Sequence, residues 1–175
     1  QAEEDEMKTM TLTDSTTPAE PTVPVPVRLD IDTVAPRFSR ALAGLDAAMV
    51  RELDAAGIDA RLRELVRLRA SQINGCSYCV DLHAGDAAKA GDTAARIAAV
   101  AVWQESPFFT ARERAAFALT ESITRLSETH VPDAAWAAAA TRFSPEELGA
   151  LVSLIVVINA WNAVGVSTHA WTGSM

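Results

Sequence analysis

The stretch "NGCSYCVDLH", Asn74–His83, decides how this chain folds. The segment before it, "RELVRLRASQI", has helical spacing that turns Leu65 and Leu68 toward a core. Asn74 and Gly75 both tolerate the left-handed conformation that ends a helix, and they stop it. Cys76 then stands at or near the N-cap of a new helix, with Cys79 in its first turn. A turn this short folds the second helix back beside the first.

Helical patterning continues on both sides. One helix is expected from Pro36 to about Ala55, closed by Gly57, and the next from about Asp59 to Ile73. The cysteine-bearing helix ends before Gly91. Another runs from about Asp92 to about Gln104, where Pro107 prevents continuation. Thr110-x-x-Glu113 is a capping-box pattern that opens a helix reaching about Glu128, and a short helix follows Pro132. Ser144-Pro145-Glu146-Glu147 combines an N-cap, a proline at the first helical position and glutamates in the first turn. The last helix starts there and stays uncharged from Leu148 to Val166. That length raises a membrane span. Ser153, Asn159 and Asn162 interrupt it and no basic residues flank it, so a central core helix, or one also covered by other subunits, is expected. Ile73-Asn74 is echoed by Ile158-Asn159, with His83 and His169 following at similar distances, through duplication of a helix pair or chance.

The organisation is thus a flexible, acidic, Thr/Pro-rich arm over residues 1–33 and one all-α helical domain of six to seven helices over 34–175. Gln1 is not an initiator; Met7 or Met10 is the expected natural start, with the residues before it an expression remnant. Of the 175 residues 49% are hydrophobic, enough for one sizeable core, and 6% are aromatic. The formal charge of −8, without a Lys/Arg cluster, argues against nucleic-acid binding. No secretory signal is visible in "QAEEDEMKTM", so the expected location is cytoplasmic, without a membrane association. There, a C-x-x-C pair points to redox or metal chemistry rather than a structural staple.

Cys76 and Cys79 lie close enough on the helix surface to form a disulfide, and the helix N-terminus favours a thiolate. His83 stands one turn beyond Cys79 on the same face, able to exchange a proton with it. Glu64, on the preceding helix, can orient that imidazole as the third member of a triad does. Glu64, His83, Cys79 and Cys76 then form a proton relay feeding a dithiol, the machinery for reducing a hydroperoxide. Tyr78 either packs or lends its hydroxyl to the pocket.

The pattern E-x11-C-x-x-C-x3-H, realised as Glu64, Cys76, Cys79 and His83, resembles the active-site signature of the alkylhydroperoxidase D-like branch of the carboxymuconolactone decarboxylase family. "INAWNAVGVS" resembles a segment common in that branch, and the likeness covers most of the chain from about Val34. The resemblance implies an all-helical fold assembled as a homo-oligomer, trimer or hexamer. It implies a peroxidase with no bound cofactor, whose electrons come from an external dithiol such as the lipoyl group of a partner protein. Cys79 carries over as the residue that attacks the peroxide, Cys76 as the one that resolves it, and Glu64 and His83 as the relay. Tyr78 stands where the branch often has histidine, and Ala163 where it has arginine.

Other readings of the same residues predict different outcomes. A non-catalytic dithiol sensor or disulfide reductase needs only the two sulfurs. A zinc module needs Cys76, Cys79, His83 and Glu64 as ligands, although no second cysteine pair exists. A decarboxylase needs a cation for a carboxylated lactone, with Arg67 or Arg69 the candidates. Taken alone, Glu64 pairs with Arg61 or Arg67. Trp103, Trp136, Trp161 and Trp171 read as core or interface anchors, His130 as a loop residue and His169 as a helix-end residue. Cys76, at the helix start, is the expected point at which an external reductant attacks.

Overall fold

The computed structural model describes residues 22–171, and those residues form nine α-helices with no strand among them. The helices are α1 Ile31–Val34, α2 Pro36–Ala55, α3 Ala60–Asn74, α4 Ser77–Lys89, α5 Ala94–Ala99, α6 Ala111–Thr124, α7 Leu126–Thr129, α8 Asp133–Ala140 and α9 Pro145–Thr168. Of the arm expected over 1–33, residues 1–21 lie outside the described set. Its inner end carries α1, which Asp30 caps by accepting from Thr33 N at 3.2 Å. The backbone amides of Arg28 and Leu29 both donate to Thr168 O, tying this segment to the end of α9.

The α3–α4 hairpin forms as the sequence requires. Gly75 takes the left-handed conformation at φ 70°, and Cys76 N donates to Ser71 O at 3.1 Å. Cys76 is the N-cap of α4, its Sγ accepting from Cys79 N at 3.3 Å. Both capping boxes are present. Thr110 and Glu113 start α6, and Ser144 Oγ accepts from Glu147 N at 3.3 Å while Glu147 accepts from Ser144 N at 2.8 Å to start α9.

Two expected helices are interrupted, the second where a side chain captures a backbone carbonyl of the helix. The helix read from Asp92 to Gln104 is α5 followed by a 3₁₀ turn over Val100–Val102. Past it, Arg114 of α6 binds the carbonyls of Trp103, Gln104 and Ser106 at 2.7 to 3.0 Å. The helix read to Glu128 breaks at Arg125, where Thr129 Oγ1 takes the carbonyl of Ser122 at 2.7 Å.

Helix α9 passes through the core and packs on α2, α3, α6 and α8. Its Leu151, Leu154 and Ile155 are fully buried with Leu53 of α2, Val66 of α3 and Leu119 of α6. By length and composition it is apolar enough to cross a membrane, yet nine of its residues are buried within this bundle. Each fully buried Leu or Ile contributes roughly 1.5–3 kcal/mol by leaving water. A second cluster, Leu65 and Leu68 of α3 with Ala87 of α4, Val100 and Phe117 of α6, fixes the other side of the α3–α4 hairpin. These two clusters hold α3 rigid, and α3 is the helix that carries Glu64.

Candidate active site

Cys76 and Cys79 are joined as a disulfide, with Cα atoms 5.3 Å apart. Glu64 on α3 faces His83 on α4, as the hairpin requires: His83 Nδ1 lies 2.8 Å from Glu64 Oε2, and the two side chains are 10% and 12% exposed. The other carboxylate oxygen, Oε1, accepts from Arg67 at 2.5 Å. Burial pushes the Glu64 carboxyl up, but the bond to His83 and the adjacent Arg67 charge outweigh it and hold the group below the ordinary glutamate value. An ionised carboxylate can only accept, so Nδ1 carries the hydrogen and Nε2 is left as the acceptor in the neutral ring.

His83 and Cys79 both line a pocket of about 650 Å³, together with Tyr78 and Leu82 of the same helix. Its opposite wall is built by residues distant in sequence. Trp161 of α9 donates its indole N–H to Asp46 of α2 at 3.2 Å, and Trp171 donates to Asp32 of α1 at 3.1 Å. With both N–H groups engaged, the indoles offer the pocket mainly ring surface. Trp171 packs between Trp161 at 5.6 Å and Tyr78 at 5.9 Å between ring centroids. Arg40 and Arg67 add basic groups to the lining, Arg67 being already engaged by Glu64.

The residues read from the motif are thus brought together, with Cys79, His83 and Tyr78 in the pocket wall and Glu64 and Cys76 behind it, bonded to His83 and Cys79. Both cysteines are 3% exposed, but Cys79 faces the pocket and Cys76 lies against α9. Trp161 and Trp171, read as anchors, also form the pocket wall; no local pattern marks them, because Asp46 and Asp32 lie 115 and 139 positions away. Glu64 has the Arg67 partner read for it as well as His83. His130 and His169 both occupy left-handed helix ends.

The pocket favours some of the competing chemistries over others. Arg69 turns from it to Glu121, at 2.6 Å, and so supplies no cation for a carboxylated lactone. Among the described residues, a grouping able to hold a metal is Glu64, His83 and Asp86, with ligand atoms within 4.8 Å of one another. It contains neither cysteine. Its Glu64 oxygens are engaged by Arg67 and His83, and Asp86 is bonded by Lys89 at 2.7 Å, so a cation would have to displace these partners.

The profile of the Carboxymuconolactone decarboxylase family matches residues 36–122, which include the whole Glu64-to-His83 motif. The uncharacterized protein YdfG of Bacillus subtilis is 37% identical over 110 residues, 63% of this chain and 75% of that protein. A protein of unknown function from Agrobacterium tumefaciens, suggested to be an AhpD antioxidant defence protein, superposes with a TM-score of 0.79 at 31% identity, covering 86% of this chain and 100% of that one. The debrominase Bmp8 shares the fold at a TM-score of 0.66 and 21% identity, covering 79% of this chain and 73% of its own. Motif, all-helical fold and relatives agree: the chain belongs to the carboxymuconolactone decarboxylase family, on its AhpD-like side.

Proposed function

We propose that the protein is a dithiol peroxidase that reduces organic hydroperoxides. The observation that carries this reading is the placement of Cys79 and the Glu64-bonded His83 on one pocket wall, with Cys76 bonded to Cys79 behind it. In the reduced protein Cys79, in the first turn of α4, is favoured as thiolate by the helix N-terminus, and His83 Nε2 can take its proton. The thiolate attacks the terminal oxygen of the hydroperoxide. The O–O bond breaks, Cys79 becomes a sulfenic acid, and the departing alkoxide receives the proton from His83. The Cys76 thiol then attacks the Cys79 sulfur; the S–S bond forms and water leaves.

An external dithiol of the lipoyl class closes the cycle. One of its sulfurs attacks Cys79 from the pocket and releases Cys76, and its second sulfur completes the exchange, delivering two electrons and leaving as a cyclic disulfide. The pocket volume and its apolar, aromatic wall suit an organic hydroperoxide or a dithiolane better than a water-sized oxidant. The protein is further proposed to act as a homo-oligomer. Val156 and Val166, in the uncharged Leu148–Val166 stretch of α9, remain 50% and 37% exposed, a surface that a second copy can cover.

Steady-state turnover of cumene hydroperoxide with dihydrolipoamide tests the function. A peroxidase consumes many equivalents per protein; a redox sensor of the same fold oxidises once and stops, and that outcome would replace the proposal. Sedimentation velocity of the purified protein tests the assembly, for which a purely monomeric boundary is the contrary result.

A further inference from the structure

Helix α9 reaches the disulfide from behind, and it does so at a glycine for which the helix itself gives no reason. Glycine inside a helix is less stable than alanine. At Gly149, earlier in α9, an added methyl group would meet nothing within 4 Å. At Gly165 the same methyl would lie 3.2 Å from Cys76 Sγ and 3.5 Å from the Trp171 ring, wedged between the two. One turn earlier, Asn162 is fully buried, and with Asn159 it grips the turn that presents Cys76. Asn74 Nδ2 donates to Asn159 Oδ1 at 2.8 Å and to Asn162 Oδ1 at 2.9 Å. Asn162 Nδ2 donates to Ser71 Oγ at 3.0 Å, and Ser71 O is the acceptor of the Cys76 amide. Asn159 Nδ2 is itself anchored by Thr124 Oγ1 at 3.1 Å and by Ile155 O at 2.8 Å.

We infer that this face of α9 is a positioning device for the inner sulfur: Asn159 and Asn162 fix the turn before Cys76, and Gly165 leaves the space in which its Sγ is seated. Cys76 is then the stationary sulfur, and the movement that opens and closes the disulfide falls on Cys79, the sulfur facing the pocket. The inference takes the name of its step from the proposed peroxidase cycle. That step is attack of the Cys76 thiol on the Cys79 sulfenic sulfur, in which S–S forms, S–O breaks and the thiol proton leaves with the hydroxide as water. Such a closure is fast because the two sulfurs are held at high effective concentration, which a displacement of a few tenths of an ångström erodes.

The test compares Gly165→Ala with Gly149→Ala, a control in the same helix. Reduced protein is mixed with one equivalent of cumene hydroperoxide, and samples are quenched over time with dimedone, which traps sulfenic acid, for mass spectrometry. Gly149→Ala should match the wild type. Gly165→Ala should oxidise Cys79 within about 2-fold of the wild-type rate but close the disulfide at least ~10-fold more slowly, so that the dimedone adduct accumulates. Closure at the wild-type rate, or equal loss of both steps, would overturn the inference.

A second measurement does not depend on peroxide chemistry. In dithiothreitol redox buffers the Gly165→Ala disulfide should be about 10-fold easier to reduce than that of Gly149→Ala, because the methyl crowds Cys76 Sγ at 3.2 Å, a contact that the free thiol relieves by rotating and the disulfide cannot. Equal equilibria would overturn the inference. Absence of any wild-type disulfide formation after the hydroperoxide would instead count against the peroxidase reading and leave this comparison to decide. Should Gly165→Ala not fold, as judged by circular dichroism, Asn159→Ala enters the same two assays with the same expectations.

Discussion

Replacing Glu64 by glutamine keeps the shape of the side chain and removes its charge. The carboxylate lies 2.8 Å from His83 Nδ1, and the two side chains are 10% and 12% exposed, so solvent screens the pair little. With charge centres about 4 Å apart and an effective dielectric of about 20, a full positive charge on the ring is stabilised by ~4 kcal/mol. Only part of that charge is present in the transition state of peroxide attack, Arg67 offsets part of the carboxylate charge, and the amide oxygen of glutamine still accepts from Nδ1. About half of the effect remains, ~2 kcal/mol, which corresponds to a rate roughly 30-fold lower. Stopped-flow tryptophan fluorescence of the reduced protein mixed with excess cumene hydroperoxide measures this step, because Trp161 and Trp171 form the pocket wall. A folded Glu64→Gln protein oxidised within 3-fold of the wild-type rate would refute the relay.

Acid should destabilise the protein through its paired carboxylates. Glu121 is raised by burial, but the bonds from Trp103 and Arg69 outweigh this and place it, like Glu64, below the ordinary value of 4.5. A depressed carboxylate contributes stability that is fully present above the unfolded value and is lost as pH falls through the folded one. Thermal melts should therefore decline below about pH 4.5, and Glu121→Gln should flatten that decline; an unchanged slope would contradict the assignment. Gly75→Ala should cost roughly 1–2 kcal/mol in a urea titration purely through its left-handed backbone, since an added methyl there meets nothing within 4 Å. Ser144→Ala should cost about 1 kcal/mol in the same titration by removing one half of the α9 capping box.

The parts of the fold that were legible in sequence are those set by local chemistry. The Ser144 and Thr110 caps and the Asn74-Gly75 stop each satisfy backbone groups within a few residues, and the helices start and end where these residues stand. Glu64 and His83 were legible as partners because a two-residue turn leaves their helices no other arrangement than side by side. The breaks at Val100 and Arg125 were not legible. At Arg125, Thr129 captures the carbonyl of Ser122, and nothing in the apolar periodicity signals such a competitor. The far wall of the pocket was also beyond local reading, since Asp32, Asp46, Trp161 and Trp171 meet only after the ends of the described chain are brought together. The echoed Ile-Asn pairs proved to be neighbours, with Asn74 bonded to Asn159 at 2.8 Å; their recurrence places two amides on facing helices.

The most direct test of the account is a thiol titration of the reduced protein before and after one equivalent of an alkyl hydroperoxide, followed by dihydrolipoamide. The account predicts that two titratable thiols fall to none, that peptide mapping finds Cys76 joined to Cys79 within one chain, and that both thiols return with the dithiol. Two thiols still titratable after the peroxide, or oxidation that dihydrolipoamide does not reverse, would contradict it.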